Sequence, residues 1–240
     1  MKIAGAMNAD TTVTPVSARF KTVYIWTVSA VAALGGLLFG YDWVVIGGAK
    51  PFYEKFFHLT SPAQQGWAMS CALVGCLAGA SLCGGLSDRL GRKRLLIFSG
   101  FVFAVSSLGT AMAQTLSAFV DWRIMGGLAI GLASSLSPMY IAELAPASFR
   151  GKLVSLNQLT IVVGILSAQL VNWLIAKPVP ADATPLEILH SWNGQVGWRL
   201  MFGVTAIPSA LFFVAMFFVP ESPRWLAKNG AWEKTRDVLA

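Results

Sequence analysis

Residues 153–176 read LVSLNQLTIVVGILSAQLVNWLIA, a run of 24 residues without one charged side chain. A helix needs about 20 mostly apolar residues to cross the hydrocarbon core of a bilayer. Leu, Ile and Val stand at neighbouring positions, so the run lacks the apolar–polar alternation of a membrane β-barrel strand. This stretch therefore predicts a transmembrane helix.

Five more apolar runs of similar length occur along the chain, so that the six predicted spans cover residues 23–49, 65–86, 95–113, 118–141, 153–176 and 200–219. Only 12% of the 240 residues are charged, whereas soluble domains carry about a quarter. We predict an all-α membrane protein with a six-helix bundle over residues 22–220. Residues 1–21 are predicted to form a cytoplasmic tail, and residues 221–240 to begin a cytoplasmic linker.

The positions of lysine and arginine predict the orientation. If the N-terminus is cytoplasmic, 13 of the 18 basic residues fall in inside segments, four fall outside, and Arg123 lies within a span. Because cytoplasmic loops carry an excess of Lys and Arg, both termini are predicted to lie on the cytoplasmic side of the cell (inner) membrane. The same short clusters account for the net charge of +7, so no nucleic-acid partner is expected.

Two charges inside the spans are the first candidate functional residues. Asp42 lies about seven residues from the predicted outer end of the first span, and Arg123 about five from that of the fourth. Intramembrane charges usually pair or face water, so similar depth predicts an Asp42–Arg123 pair. A static structural pair is one interpretation. The other is a proton switch, in which Asp42 stays ionised beside Arg123 and takes up a proton when the two separate.

Polar amides on the fifth span suggest a wet face. With 100° per residue, Gln169 lies about 20° and Asn172 about 40° from Gln158, with Ile165 between them in direction. Amides offer both donors and acceptors, which suits sugar hydroxyls. Gln158, Gln169 and Asn172 are therefore predicted to face a cavity, with interhelical bonding as the alternative for one or two of them.

Three charged clusters follow cytoplasmic helix ends, and each contains acids as well as bases. Topology needs only bases, so the acids suggest an ion-pair network. The predicted members are Asp88, Arg89, Arg92, Glu143, Arg150, Glu221 and Arg224.

Enzymatic and metal chemistry are not predicted. Cys71, Cys76 and Cys83 lie on one span without a metal-like CxxC spacing, and are best explained by helix packing. No motif pairs a nucleophile with a base.

These clusters coincide with motifs of a known family. Residues 84–93, GGLSDRLGRK, resemble the GxxxDRxGRK loop of the major facilitator superfamily. FGYD at 39–42, YIAELAP at 140–146 and PESPRWL at 220–226 resemble motifs of the sugar porter branch of this superfamily. Within that branch the resemblance is closest to the bacterial xylose–proton symporters. Shorter matches lie at residues 123–127, 149–151, 157–159 and 197–199.

The resemblance implies the N-terminal half of a twelve-span fold and proton-coupled symport of a monosaccharide such as xylose or glucose. Asp42 matches the coupling carboxylate and Arg123 its partner, while Phe39 and Gln158 match sugar-site residues. The charged clusters match a cytoplasmic gating network. No cofactor is implied, since the proton is the coupling ion. A C-terminal six-helix half or a second copy is expected as partner, and a facilitative uniporter or a non-transporting sensor or partner subunit stays open.

The sequence also departs from the sugar porter pattern. Trp43 replaces a small polar residue, Gly47 and Gly48 replace Ser-Gly, Ile165 replaces a sugar-binding glutamine, and Asp121 has no counterpart. These departures leave the sugar open.

Overall fold

The computed structural model describes residues 22–180 and 182–239, and these residues form an all-helical bundle. Six segments are long and apolar enough to cross a membrane. They are α1 (Thr22–Phe56), α2 (Pro62–Leu90), α3 (Arg92–Met112), α4 (Leu116–Leu144), α5 (Arg150–Ile175) and a composite sixth segment, Asn193–Phe218. The tail predicted over residues 1–21 lies outside the described residues.

The first helix is longer than its predicted span, because it runs through Pro51 to Phe56 instead of ending near residue 49. Asp42 is therefore 14 residues from the end of α1, about twice the separation that the predicted span gave. Arg123 is only seven residues from the start of α4. The extra turns of α1 are fixed by Tyr53, which is fully buried and packs against Phe119 with ring centroids 5.2 Å apart.

The sixth segment begins before residue 200 and is not one regular helix. A π-helical turn, Asn193–Gly197, leads into α7 (Trp198–Val204), α8 (Ala206–Ala215) and a 3-10 turn, Met216–Phe218. Pro208 explains the break at Thr205, because its ring has no N–H for the carbonyl of Val204 and clashes with it. The loop between α5 and this segment contains the short helix α6 (Pro185–His190).

Glycines bring helix backbones into direct contact. Gly75 of α2 lies against the Ile124 carbonyl of α4, and Gly127 of α4 lies against the Ala72 carbonyl of α2. A side chain at either position would collide with that backbone. The two GxxxG pairs, Gly75–Gly79 of α2 and Gly127–Gly131 of α4, thus face each other, as small-residue helix interfaces in membranes do. Gly40 of α1 makes the same kind of contact with the Ile161 carbonyl of α5.

Two short helices follow the sixth segment, within the residues predicted to begin a linker. They are α9 (Pro223–Lys228) and α10 (Trp232–Leu239). Gly230 between them has φ of 77°, a left-handed conformation that glycine adopts without strain and that ends the first helix.

Candidate functional site

Asp42 and Arg123 form a salt bridge in the interior of the bundle. Asp42 lies in the middle of α1, and its Oδ1 accepts a hydrogen bond from Nη1 of Arg123 on α4. The residues are only 6% and 5% exposed. Arg123 also lies 5.4 Å from the ring centroid of Phe202, and its Nε has no hydrogen-bond partner among the described residues. The two charges therefore depend mainly on each other.

The energetics of such a pair point away from a purely stabilising role. Taking two charges out of water costs several kcal/mol for each ion, which their attraction repays only with good geometry and further hydrogen bonds. An apolar pair of similar size is often as stable. An ion pair at this depth is thus weak evidence for stability and typical of an ion pathway or conformational switch.

The ion pair lines a cleft of about 310 Å³ between α1, α2 and α4. Phe39 and Trp43 of α1 line it with their rings stacked, at a centroid distance of 6.3 Å and an interplanar angle of 12°. Trp43, which departs from the sugar porter pattern, thus extends an aromatic wall. The cleft thus places an acid, a guanidinium and aromatic faces together.

Residues of α2 that the sequence analysis did not place in the site complete this cleft. Met69, Leu73 and Cys76 line it together with Ser70. Their i, i+4 and i+7 spacing is the available signal, since these positions share one helix face. The spacing alone did not distinguish a cleft wall from a lipid-facing or packed surface.

The amides of α5 do not share one environment. Gln158 and Gln169 are exposed, whereas Asn172 is 8% exposed and donates from Nδ2 to the Val45 carbonyl of α1 at 3.3 Å. Gly48 makes room for this side chain, because a Cβ there would meet the Asn172 amide. The placement of Asn172 in an open cavity is therefore wrong, and interhelical bonding accounts for it. Neither glutamine lines the cleft beside Asp42.

At the other end of the bundle, Arg92 is the centre of an ionic network. Its guanidinium lies 3.1 Å from Glu143 and 3.0 Å from Asp88. Asp88 also pairs with Lys228 of α9 at 2.9 Å, and Ser222 donates to the Glu143 carboxylate. Arg92 is buried, so the network joins the ends of α2, α3 and α4 to the segment after the sixth span.

Glu221 belongs to the same network but acts on backbone rather than on a cation. Its Oε1 accepts hydrogen bonds from the backbone N–H groups of Arg92 and Lys93, both at 3.0 Å. These are the first residues of α3, and Gly91 before them has no side chain that could cap the helix. A carboxylate here satisfies two free donors and complements the positive end of the helix dipole.

Besides Glu221, three predicted members of the network make no ion pair among the described residues. Arg89 is exposed, while Arg150 and Arg224 are exposed at the edge of a cavity of about 470 Å³ that Arg92 and Glu143 also line. The sequence analysis in turn missed Ser222 and Lys228. Within residues 22–180 and 182–239 there is also no cluster of three or more His, Cys, Asp or Glu able to hold a metal ion.

The chain matches a known protein family over most of its length. The family model described as "Sugar (and other) transporter" matches residues 28–240, which is nearly the whole chain. The chain belongs to this family. The match includes both the Asp42–Arg123 pair and the cytoplasmic network.

Members of the sugar transporter family agree with this chain over its whole fold. The D-xylose-proton symporter of Escherichia coli (strain K12) is 40% identical over 246 residues, covering 92% of this chain and 48% of the symporter. The glucose transport protein of Synechocystis sp. is 41% identical, covering 97% of this chain and 48% of that protein. A solved structure of the proton:xylose symporter XylE bound to 6-bromo-6-deoxy-D-glucose gives a TM-score of 0.84 at 39% identity, covering 92% of this chain and 50% of that one.

The chain therefore spans about half the length of the curated relatives it matches. Its fold is the N-terminal six-helix half of the major facilitator architecture, and it is a multi-pass membrane protein. These relatives are named as transporters rather than enzymes, in agreement with the sequence analysis.

Proposed function

We propose that this chain is half of a proton-coupled monosaccharide transporter in which Asp42 carries the proton. The observation that carries the proposal is the buried salt bridge between Asp42 and Arg123 at the wall of an open cleft. The choice of a monosaccharide as substrate comes from the family, since the relatives described above are named as xylose and glucose transporters. The residues themselves supply the reason for proton coupling.

Coupling follows from the dependence of one group on another. In the paired state Arg123 compensates the negative charge of the Asp42 carboxylate. In a conformation that separates the two side chains, a proton would neutralise the carboxylate instead. Proton binding and conformation are then linked, and each shifts the other by the same free energy. Sugar binding that prefers the second conformation completes the coupling.

The sugar site is proposed to form between this bundle and a second one. In transporters of this architecture the substrate lies near the bilayer midplane between two bundles that rock against each other. Phe39 is half-buried in the cleft wall, and Gln158 and Gln169 are exposed on α5. We assign these three residues to sugar contact and exclude Asn172, whose amide bonds to α1. The second bundle is a C-terminal six-helix half or another copy.

The network around Arg92 is proposed to act as the cytoplasmic gate. It ties four helix ends together through Glu143, Asp88 and Glu221. Arg150 and Arg224 line the neighbouring cavity without an acid of their own in the described structure. Carboxylates of the second half would form ion pairs with these two arginines in one conformation of the transporter but not in the other. The network would then favour the conformation in which the ion pairs form. With the positive-inside rule, this end and both termini are cytoplasmic.

The test is sugar uptake into proteoliposomes that contain this chain together with a C-terminal six-helix half. We expect a pH gradient to drive accumulation of xylose or glucose in the unmodified protein. Asp42→Asn should lower the accumulation ratio to about one while sugar exchange continues, because the carrier of the proton is gone. Asp121→Asn is the matched control, since Asp121 is exposed on α4 two residues from Arg123.

Two results would contradict the proposal. Accumulation that is indifferent to both pH and Asp42→Asn removes the proton role, and sugar equilibration without any accumulation in the unmodified protein identifies a uniporter. An equal loss from Asp121→Asn would show that any lost acid has this effect.

A further inference from the structure

A further cavity lies on the side of the bundle, away from the cleft. It has a volume of about 390 Å³ and is walled by α2, α3 and α4. All lining residues but one are apolar, and they are Gly79, Leu82, Leu86, Leu90, Arg94, Leu95, Phe98, Leu128 and Leu132. On α2, the groove face lies about a third of a turn from the residues that line the cleft. The groove is therefore separate from the cleft beside Asp42.

The packing of the helices explains why this groove exists. The glycines of α2 bring it onto the α4 backbone, where Gly79 lies against the Leu128 carbonyl. Only Gly91 separates the last residue of α2 from the first residue of α3, so the two helices meet at the cytoplasmic end. Because α2 is held on α4, a trough remains between α2 and α3 with α4 as its floor. Leu82 and Phe98, at its rim, are 53% and 50% exposed.

The charge at the cytoplasmic end of the groove has the sign of an anion site. Arg94 is exposed there, and among the described residues no carboxylate lies within salt-bridge distance of it. Its neighbours differ, since Arg92 is paired with Asp88 and Glu143, and Lys93 donates to the Phe217 carbonyl at 2.8 Å. Arg94 is thus a free cation at the end of an apolar trough.

We infer that this groove binds one anionic phospholipid, with an acyl chain along the leucines and the headgroup phosphate on Arg94. The occupant must be apolar over most of its length, because the groove lies in the membrane-spanning part of the chain. It must also carry a negative charge at the membrane surface, because Arg94, the charged residue of the groove lining, lies there. Guanidinium and phosphate pair through two parallel hydrogen bonds, and phosphatidylglycerol meets each requirement.

The test is native mass spectrometry of the delipidated 240-residue chain with phosphatidylglycerol or phosphatidylcholine of identical acyl chains. We expect one phosphatidylglycerol to be retained in preference to phosphatidylcholine. Arg94→Gln should weaken that retention about fivefold, the effect of one basic residue near an anionic surface, and Arg94→Lys should keep most of it. Glycerol phosphate should not displace the lipid, since it lacks the acyl chain.

Controls separate this site from general surface charge. Arg236→Gln removes an exposed arginine of α10 outside the groove and should leave retention unchanged. Leu82→Trp should fill the trough and lower retention with Arg94 still present. Equal loss in Arg236→Gln, undiminished retention in Arg94→Gln, or equal binding of the two lipids would overturn the inference. Displacement by glycerol phosphate would indicate a free-phosphate site instead, and a dimer without bound lipid would assign the groove to a second copy.

Discussion

At the scale of single residues, the Asp42–Arg123 pair shows how a buried charge depends on its partner. Each is almost completely removed from solvent, and the structure offers neither another opposite charge within salt-bridge distance among the described residues. Removing one partner therefore leaves the other as an uncompensated charge, which costs more than the pair was worth.

This asymmetry gives a stability prediction. Arg123→Gln should destabilise the bundle on the order of 3 kcal/mol, seen as a lower midpoint of thermal unfolding in detergent. Adding Asp42→Asn should restore much of that loss, because no charge is left unpaired. A double variant that unfolds no later than Arg123→Gln would show that packing around the guanidinium, rather than charge, carries the effect.

At the scale of helices, glycine has two different roles in α2. Gly75 touches the α4 backbone, whereas a Cβ at Gly84 would meet nothing within 4 Å. The same substitution should therefore have opposite effects at positions nine residues apart.

We expect Gly75→Ala to destabilise the chain by about 1–3 kcal/mol, since α2 and α4 must move apart. Gly84→Ala should be neutral or stabilising by up to about 1 kcal/mol, because alanine favours the helix. Thermal unfolding of the two variants side by side is the measurement. Equal effects would mean that the close approach of α2 and α4 does not limit stability.

The short loop helix α6 offers a pH prediction. Its capping box has the Glu187 carboxylate accepting from the backbone N–H of Thr184 at 2.7 Å and from the Thr184 hydroxyl at 3.0 Å. These hydrogen bonds, the backbone one first, lower the pKa of Glu187 below its ordinary 4.5. A lowered pKa means that the stabilisation is complete above the ordinary value and is lost as the pH falls through the folded-state value.

Amide hydrogen exchange of α6 should therefore be slow at neutral pH and accelerate, relative to its intrinsic rate, once the pH drops below about 4.5. Glu187→Gln should remove this dependence, because the amide does not titrate in that range. A Gln variant with the same acid transition would assign it to another group.

At the scale of the whole molecule, burial is distributed unevenly. In the most apolar 18-residue stretch of each helix, 61% of the residues of α4 are buried, compared with 28% in α2 and 17% in α5. Apolar faces that are bare in the bundle contact lipid or a second bundle in the membrane, which agrees with a chain half as long as its relatives.

The orientation of the whole chain is a separate prediction. In a background without Cys71, Cys76 and Cys83, Glu187→Cys should react with a membrane-impermeant maleimide in intact cells. Glu233→Cys on α10 should react only after permeabilisation. The reverse pattern would place the termini outside and the Arg92 network on the external face.

The number and approximate place of the spans, the family and the two residues of the ion pair were all predictable from the residues in order. They were predictable because bilayer thickness fixes the length of an apolar run, and because an intramembrane charge stands out against an apolar background.

The contacts of each helix face, by contrast, were visible only once the helices were packed. Hydropathy gives the length of a helix but not its rotation against neighbours, so it could not show that Asn172 turns toward Val45 while Gln169 stays exposed. Nor could it show that Glu221 caps a helix that begins 129 residues earlier. Such contacts depend on the packing of backbones that lie far apart in the chain, and the glycines that permit this packing do not specify which helix will be their partner.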